Sequence, residues 1–202
     1  METTKTAAGP AARGGRGARE RILRAAEELF YGHGIHATGV AALIERAHVS
    51  PRTFYQHFAT KNALVEAYLL RFESEAPIAS EVQLTRTDLT PEQRLLAIFD
   101  PVETDPPDVI RGCPFHNAAV EAAGELRQVA DLVKQHKAAF RDRLVVTAAE
   151  AGASDPQSLG RQLAVIYEGA NSLSASCNDA EAFVYARRAA EALLKTALEQ
   201  TA

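Results

Sequence analysis

Between Ser50 and Lys61 the chain reads SPRTFYQHFATK. Arg52 and Gln56 stand four residues apart, so on a helix they share one face. In a DNA major groove an arginine pairs bidentately with guanine and a glutamine with adenine. Pro51 and Thr53 would add close apolar and methyl contacts beside them. Tyr55, His57 and Lys61 suit phosphate oxygens, contacts that fix register without reading sequence. Phe54 and Phe58 fall on the other side and would anchor the helix from behind. The plain alternatives are a solvated face for Arg52 and Gln56, half-buried packing for Tyr55 and a structural role for His57. The chemistry on offer is recognition and not catalysis. The sequence contains no nucleophile elbow, phosphate-binding loop, zinc-protease motif or dinucleotide fingerprint, so no enzyme activity and no cofactor is expected.

The elements that must position these residues are equally visible. Ser50 is a good N-cap, and Pro51 fits a first helical turn, where no backbone N–H is needed. A second helix is expected over about 40–47, burying Val40, Leu43, Ile44 and Ala47. The first runs from Arg19 to His33 with Ile22, Leu23, Ala26, Leu29 and Phe30 on one stripe, and Gly34 stops it. Thr60 caps a fourth helix through Leu64, Tyr68 and Phe72. Two short helices joined by a tight turn across Thr38–Lys61 have the shape of a helix-turn-helix DNA reader.

Charge supports that reading once its distribution is considered. The whole chain carries a formal −4. Residues 1–61 hold 9 Lys+Arg against 5 Asp+Glu, while the remainder holds 13 against 21. A basic front on an acidic body suits a protein that offers one end to phosphates. Residues 1–18, including ARGGRGAR, lack the apolar content to pack and are expected to be a disordered basic tail. That tail is either a backbone-touching arm or a solvated end. No apolar run reaches the roughly 18 residues needed to span a membrane, and the N-terminus lacks a signal-peptide core. These features point to a soluble, cytoplasmic protein.

Beyond Pro77 the pattern is irregular as far as Thr90, where Thr90-Pro91-Glu92-Gln93 forms a capping-box start. Helices are expected with Leu95, Leu96, Ile98 and Phe99, from near Pro114, over 125–151, from the Asp155-Pro156 cap, and over about 178–199. Residues 101–112 read as a loop. No period-two strand pattern occurs. The expected fold is all-α, with about nine helices.

The run from Arg19 to Tyr68 resembles the tetracycline-repressor (TetR) family of transcriptional regulators. ELFYGHGIHATG, then Leu43-Ile44, then VSPRTFYQHFATKNALVEAY carry the likeness, most specifically Thr53, Tyr55, His57, Phe58 and Lys61. The segment Arg111-Gly112-Cys113-Pro114-Phe115-His116-Asn117-Ala118-Ala119 looks like a Gly-Cys…Asn-x-Ala signature found in part of that family. The resemblance implies residues 19–62 as the DNA-binding domain and 63–202 as a helical effector-binding and dimerisation domain. It also implies a homodimer through the last two helices, whose small residues (Gly169, Ala170, Ala186, Ala190) permit close approach. Double-stranded DNA is then the partner, with a pseudo-palindromic operator, and a small, mostly apolar effector would release a repressor.

The chain departs from the family pattern at three places. Gly39 stands where Ser or Thr often caps the second helix and holds a phosphate, a role Thr38 would take over. His48 stands where glycine is usual in the turn, and Arg52 replaces a residue that is often small. The candidate DNA-contacting set is thus Thr38, Gly39, Ser50, Pro51, Arg52, Thr53, Tyr55, Gln56, His57 and Lys61.

Candidate effector-lining residues are Phe99, Cys113, Phe115, His116, Asn117, Phe140, Tyr167 and Asn171, with Cys177 as a further option. Each is an equally good core residue. Asn117 and Asn171 stand out because a buried amide needs a partner, either a ligand or a helix cap. Cys113-x-x-His116 offers two metal ligands, too few for a structural zinc. Cys113 near a helix start is a candidate redox thiol or simply a small buried hydrophobe. A redox-sensing regulator is therefore one alternative. A helical homodimer that binds ligands or partners without an operator is another.

Overall fold

The computed structural model describes residues 16–75, 77–100, 111–121 and 127–199. Among them are ten α-helices, one 3-10 turn and no strand. Nine helices remain if the single-turn element Ala79–Val82 is set aside. The all-α expectation holds.

The chain forms two compact units, one ending at Tyr68 and one beginning at Leu69. The first contains α1 (Arg16–His33), α2 (Val40–Ala47), α3 (Pro51–His57) and the start of α4 (Lys61–Ser74). Helix α1 begins at Arg16, inside the stretch expected to be a disordered tail. The rest of that tail lies outside the described residues. Gly34, at φ 94°, ends α1 with its N–H on the Phe30 carbonyl (2.9 Å). The core of this unit is Ile22, Leu23, Ala26, Phe30, Leu43, Ala47, Phe54, Phe58, Leu64 and Tyr68. This set is the apolar stripe of each helix turned inward.

The second unit continues α4 and adds α5 (Ala79–Val82), the 3-10 turn Gln83–Thr85, α6 (Pro91–Ala97), α7 (Pro114–Glu121), α8 (Arg127–Glu150), α9 (Pro156–Cys177) and α10 (Ala182–Glu199). Its caps follow the sequence. Thr90 and Gln93 form the full capping box of α6, and Asp155 accepts from the Ser158 N–H at 2.9 Å. Two elements differ from expectation. The irregular 77–90 segment contains α5 and the 3-10 turn, which bury Glu81 and Leu84. Asn178, expected to open the last helix, instead ends α9 in a left-handed conformation (φ 51°), and α10 starts at Ala182. The expected loop at 101–112 lies outside the described residues as far as residue 110.

Helices α8 and α9 cross closely at Gly160. A Cβ there would lie 2.6 Å from Val145 Cγ2 and 2.8 Å from its backbone nitrogen. Any larger residue would force the pair apart. Below the crossing lies a core of Leu95, Ile98, Phe99, Phe140, Leu144, Leu159, Leu163 and Tyr167, closed on one side by Ala186, Ala190 and Leu194 of α10.

Candidate nucleic-acid interface

Helix α3 is short, and its two ends are fixed by its own sequence. Ser50 has extended backbone, and its Oγ accepts the Thr53 N–H at 3.1 Å. Pro51 occupies the first turn. Phe54 is fully buried and Phe58 nearly so, which turns the opposite face outward. Pro51, Arg52, Tyr55 and Gln56 are exposed on that face, and Thr53 and His57 are half-buried at its margins. Tyr55 is 54% exposed and sits edge-on to Phe54 (5.4 Å). Lys61 opens α4, just after Thr60 caps that helix by accepting the Ala63 N–H at 3.1 Å.

The turn between α2 and α3 closes through His48. Its backbone is left-handed (φ 51°, ψ 52°), and its N–H reaches the Glu45 carbonyl while the Val49 N–H reaches Ile44. This is the expected glycine-like position, and histidine tolerates it better than most residues. Arg21 of α1 donates from Nε to the Ala47 carbonyl (3.1 Å) and so ties α1 to the end of α2. Arg46 and Glu28 pair across the same two helices. The guanidinium of Arg19 lies over the Phe58 ring at 5.4 Å.

Two residues at the start of α2 depart from the simple picture. Thr38 is 3% exposed, and its hydroxyl donates inward to the Gly34 (2.7 Å) and Leu29 (3.2 Å) carbonyls. Its side chain is committed to the fold and not presented to a phosphate. Gly39 is the N-cap of α2, with extended backbone and no side-chain cap. A Cβ at Gly39 would meet nothing within 4 Å, so the position is open outward.

Several of the candidate effector residues in the second unit pack on one another or on neighbouring side chains. Phe99, Phe140 and Tyr167 come together, with ring centroids 4.8 Å apart for Phe140–Tyr167 and 6.1 Å for Phe99–Tyr167. The Tyr167 hydroxyl meets Ser80 Oγ at 2.6 Å, and burial pushes its pKa well up. Phe115 is stacked flat on His136 at 3.6 Å. Cys113 touches Lys137, which also pairs with Glu168. Both asparagines have protein partners. Asn171 donates to the Tyr167 carbonyl (3.1 Å) and Asn117 to that of Arg111 (2.8 Å). His116 is half-buried, and Cys177 is exposed at the end of α9. Among the described residues no group of three or more His, Cys, Asp or Glu side chains is placed to hold a metal ion.

Sequence reasoning missed a buried polar network in this unit. Glu81 accepts from Arg143 at 2.5 Å and meets His136 Nε2 at 3.1 Å. These partners stand 55 and 62 residues apart, and no local pattern announces such a pairing.

A helix-turn-helix unit followed by an all-helical unit defines a class of DNA-binding regulator, and comparison with known proteins identifies it. Residues 22–68 match the bacterial regulatory proteins of the tetR family, and residues 91–190 match the tetracyclin repressor-like C-terminal domain. A TetR-type transcriptional regulator from Streptomyces avermitilis is 30% identical over 89% of this chain and 97% of its own, with a TM-score of 0.78. A TetR-family regulator from Streptomyces coelicolor is 26% identical over 90% and 96%, with a TM-score of 0.79. The transcriptional regulator UidR of Escherichia coli is 40% identical over 58 residues, which is 29% of this chain and 30% of UidR. The chain belongs to the TetR family of transcriptional regulators.

Proposed function

We propose that the protein is a homodimeric repressor that binds a pseudo-palindromic operator and is released by a small, mostly apolar effector. The observation that carries this reading is the outward face of α3. Arg52 and Gln56 stand side by side and exposed on a helix whose back is locked by Phe54 and Phe58. Arg52 would read guanine and Gln56 adenine. Tyr55, His57 and Lys61 would hold phosphates, and Gly39 would contribute its backbone N–H at the start of α2. Thr38 supports the turn from inside.

One module of this size makes too few contacts for tight specific binding at physiological salt, so a dimer is needed. The last two helices favour it. Val165, Gly169 and Leu173 recur at four-residue steps along α9 and are all exposed, Val165 at 72% and Leu173 at 54%. Val184 and Tyr185 are exposed on α10. Of the small residues expected at that interface, Ala170, Ala186 and Ala190 pack inside the protomer. The exposed apolar residues between them supply the surface for a second copy. The effector would act by population shift, favouring a dimer whose two reading helices are wrongly spaced for successive major grooves.

Selection of bound duplexes from a random DNA pool at about physiological salt tests this directly. Enrichment of an inverted repeat is the expected outcome. Binding with no enriched sequence would overturn the operator reading.

A further inference from the structure

Cys113, Lys137 and Glu168 form a cluster that the DNA-reading function does not use. Lys137 Nζ lies 3.4 Å from Cys113 Sγ and 2.5 Å from Glu168 Oε1. Cys113 is 4% exposed, while the side chains of Lys137 and Glu168 are partly open to water. The cysteine is held in place from behind. Gly112, at φ 69°, runs so close to α9 that a Cβ would sit 3.0 Å from Ala175 Cβ and 3.2 Å from the Asn171 carbonyl oxygen. A thiol just before α7, an amine on α8 and a carboxylate on α9 are thus joined through Lys137.

We infer that Cys113 and Lys137 form a reversible sulfur–nitrogen crosslink when the protein meets a peroxide. In the first step the O–O bond of the peroxide breaks. The sulfur loses two electrons and becomes a sulfenic acid, and one oxygen leaves as water, or as an alcohol from an organic peroxide. In the second step Glu168 takes a proton from the Lys137 ammonium. The free amine attacks sulfur, the S–N bond forms and the S–O bond breaks. The departing hydroxide takes the second nitrogen proton and leaves as water. A thiol later reduces the link by attack at sulfur, returning the amine and leaving a disulfide that a second thiol resolves. Contact between the amine and the nascent sulfenic acid favours this closure over further oxidation by bulk peroxide.

The resting cluster is chemically quiet. Burial raises the Cys113 thiol against the pull of Lys137. Burial opposes the Lys137 ammonium as well, but Cys113 and Glu168 together hold its pKa above the ordinary value. The site therefore answers to sustained peroxide and not to traces, since susceptibility follows thiolate content. The link would pin the start of α7 to α8 and leave Glu168 on α9 without its cation.

The test uses the full chain carrying Cys177→Ser, because a Cys113–Cys177 disulfide would give the same mass change. After hydrogen peroxide, mass spectrometry and peptide mapping should find a species lighter by two hydrogens that joins the Cys113 and Lys137 peptides and is reversed by dithiothreitol. In the same background Lys137→Arg keeps a cation beside Glu168, and there the light species should be lost and oxygen adducts of Cys113 should take its place. Oxygen adducts alone with Lys137 present would overturn the proposal. So would a two-hydrogen-lighter species that survives Lys137→Arg. So would a Cys113 that stays unmodified under sustained excess peroxide.

Discussion

The reading helix and the helical body place aromatic residues for opposite purposes. In α3 the rings of Phe54 and Phe58 are buried so that their neighbours Arg52, Tyr55 and Gln56 face outward. In the second unit Phe99, Phe140 and Tyr167 turn toward one another and leave their polar neighbours to pair inside, as Ser80 does with Tyr167. The first arrangement presents chemistry to a partner, and the second encloses it. A substitution in the body should therefore register first in stability. A substitution on the outer face of α3 should register in DNA binding.

The largest effect is expected from Phe140→Ala. Its ring is buried in the body core and packs on Tyr167. Truncation should cost about 3–5 kcal/mol, read from denaturant unfolding followed by circular dichroism. A cost under about 1 kcal/mol would mean that Phe140 lines empty space, which would favour its role in an effector cavity.

Arg52→Ala comes next and should separate the two regions cleanly. Operator affinity should fall by about 1–3 kcal/mol, with sequence preference relaxed at one position. Thermal stability should stay within about 0.5 kcal/mol, because Arg52 is exposed. Equal weakening on all sequences would reassign Arg52 to a phosphate.

The two regions also differ in how far the sequence disclosed them. Local rules govern the first unit. Ser50, Pro51, Thr60 and Gly34 act within a few residues of themselves and take the conformation their type predicts, and His48 adopts the left-handed backbone that the turn requires. Thr38 is the exception, since its burial follows from how the 34–38 turn folds back on α1. The second unit depends on long-range partners. Glu81 sits in a helix of four residues, too short to show a stripe, and its partners are more than fifty residues away. Asn178 illustrates a second limit, because asparagine favours both ends of helices and only the fold decides between them. Within α9, the three- and four-residue spacing of Leu159, Leu163, Ile166, Ala170 and Leu173 predicts one apolar stripe, yet Leu173 is exposed while Ser174 beside it is buried. Helical phase drift over a long element is enough to exchange such neighbours.

The smallest effect tests whether the outward region can be improved where its sequence departs from the family pattern. Gly39 begins α2 with extended backbone and no side-chain cap, and a Cβ there would meet nothing. A serine at this position can accept a backbone N–H of the first turn, as Ser50 does for α3. Gly39→Ser should therefore stabilise the chain by a few tenths of a kcal/mol, roughly the difference between glycine and serine as N-caps. Because the position is open outward, the new hydroxyl can also donate to a phosphate. Such a neutral contact adds affinity on every sequence alike and leaves the salt dependence unchanged, since no counterion is displaced. Melting curves and operator titrations at two salt concentrations separate the two contributions. A higher melting temperature with unchanged DNA affinity would show that the start of α2 stands away from the backbone and would remove Gly39 from the interface. A gain in affinity equal on operator and random DNA would place the start of α2 against a phosphate, while the reading of bases stays with Arg52 and Gln56.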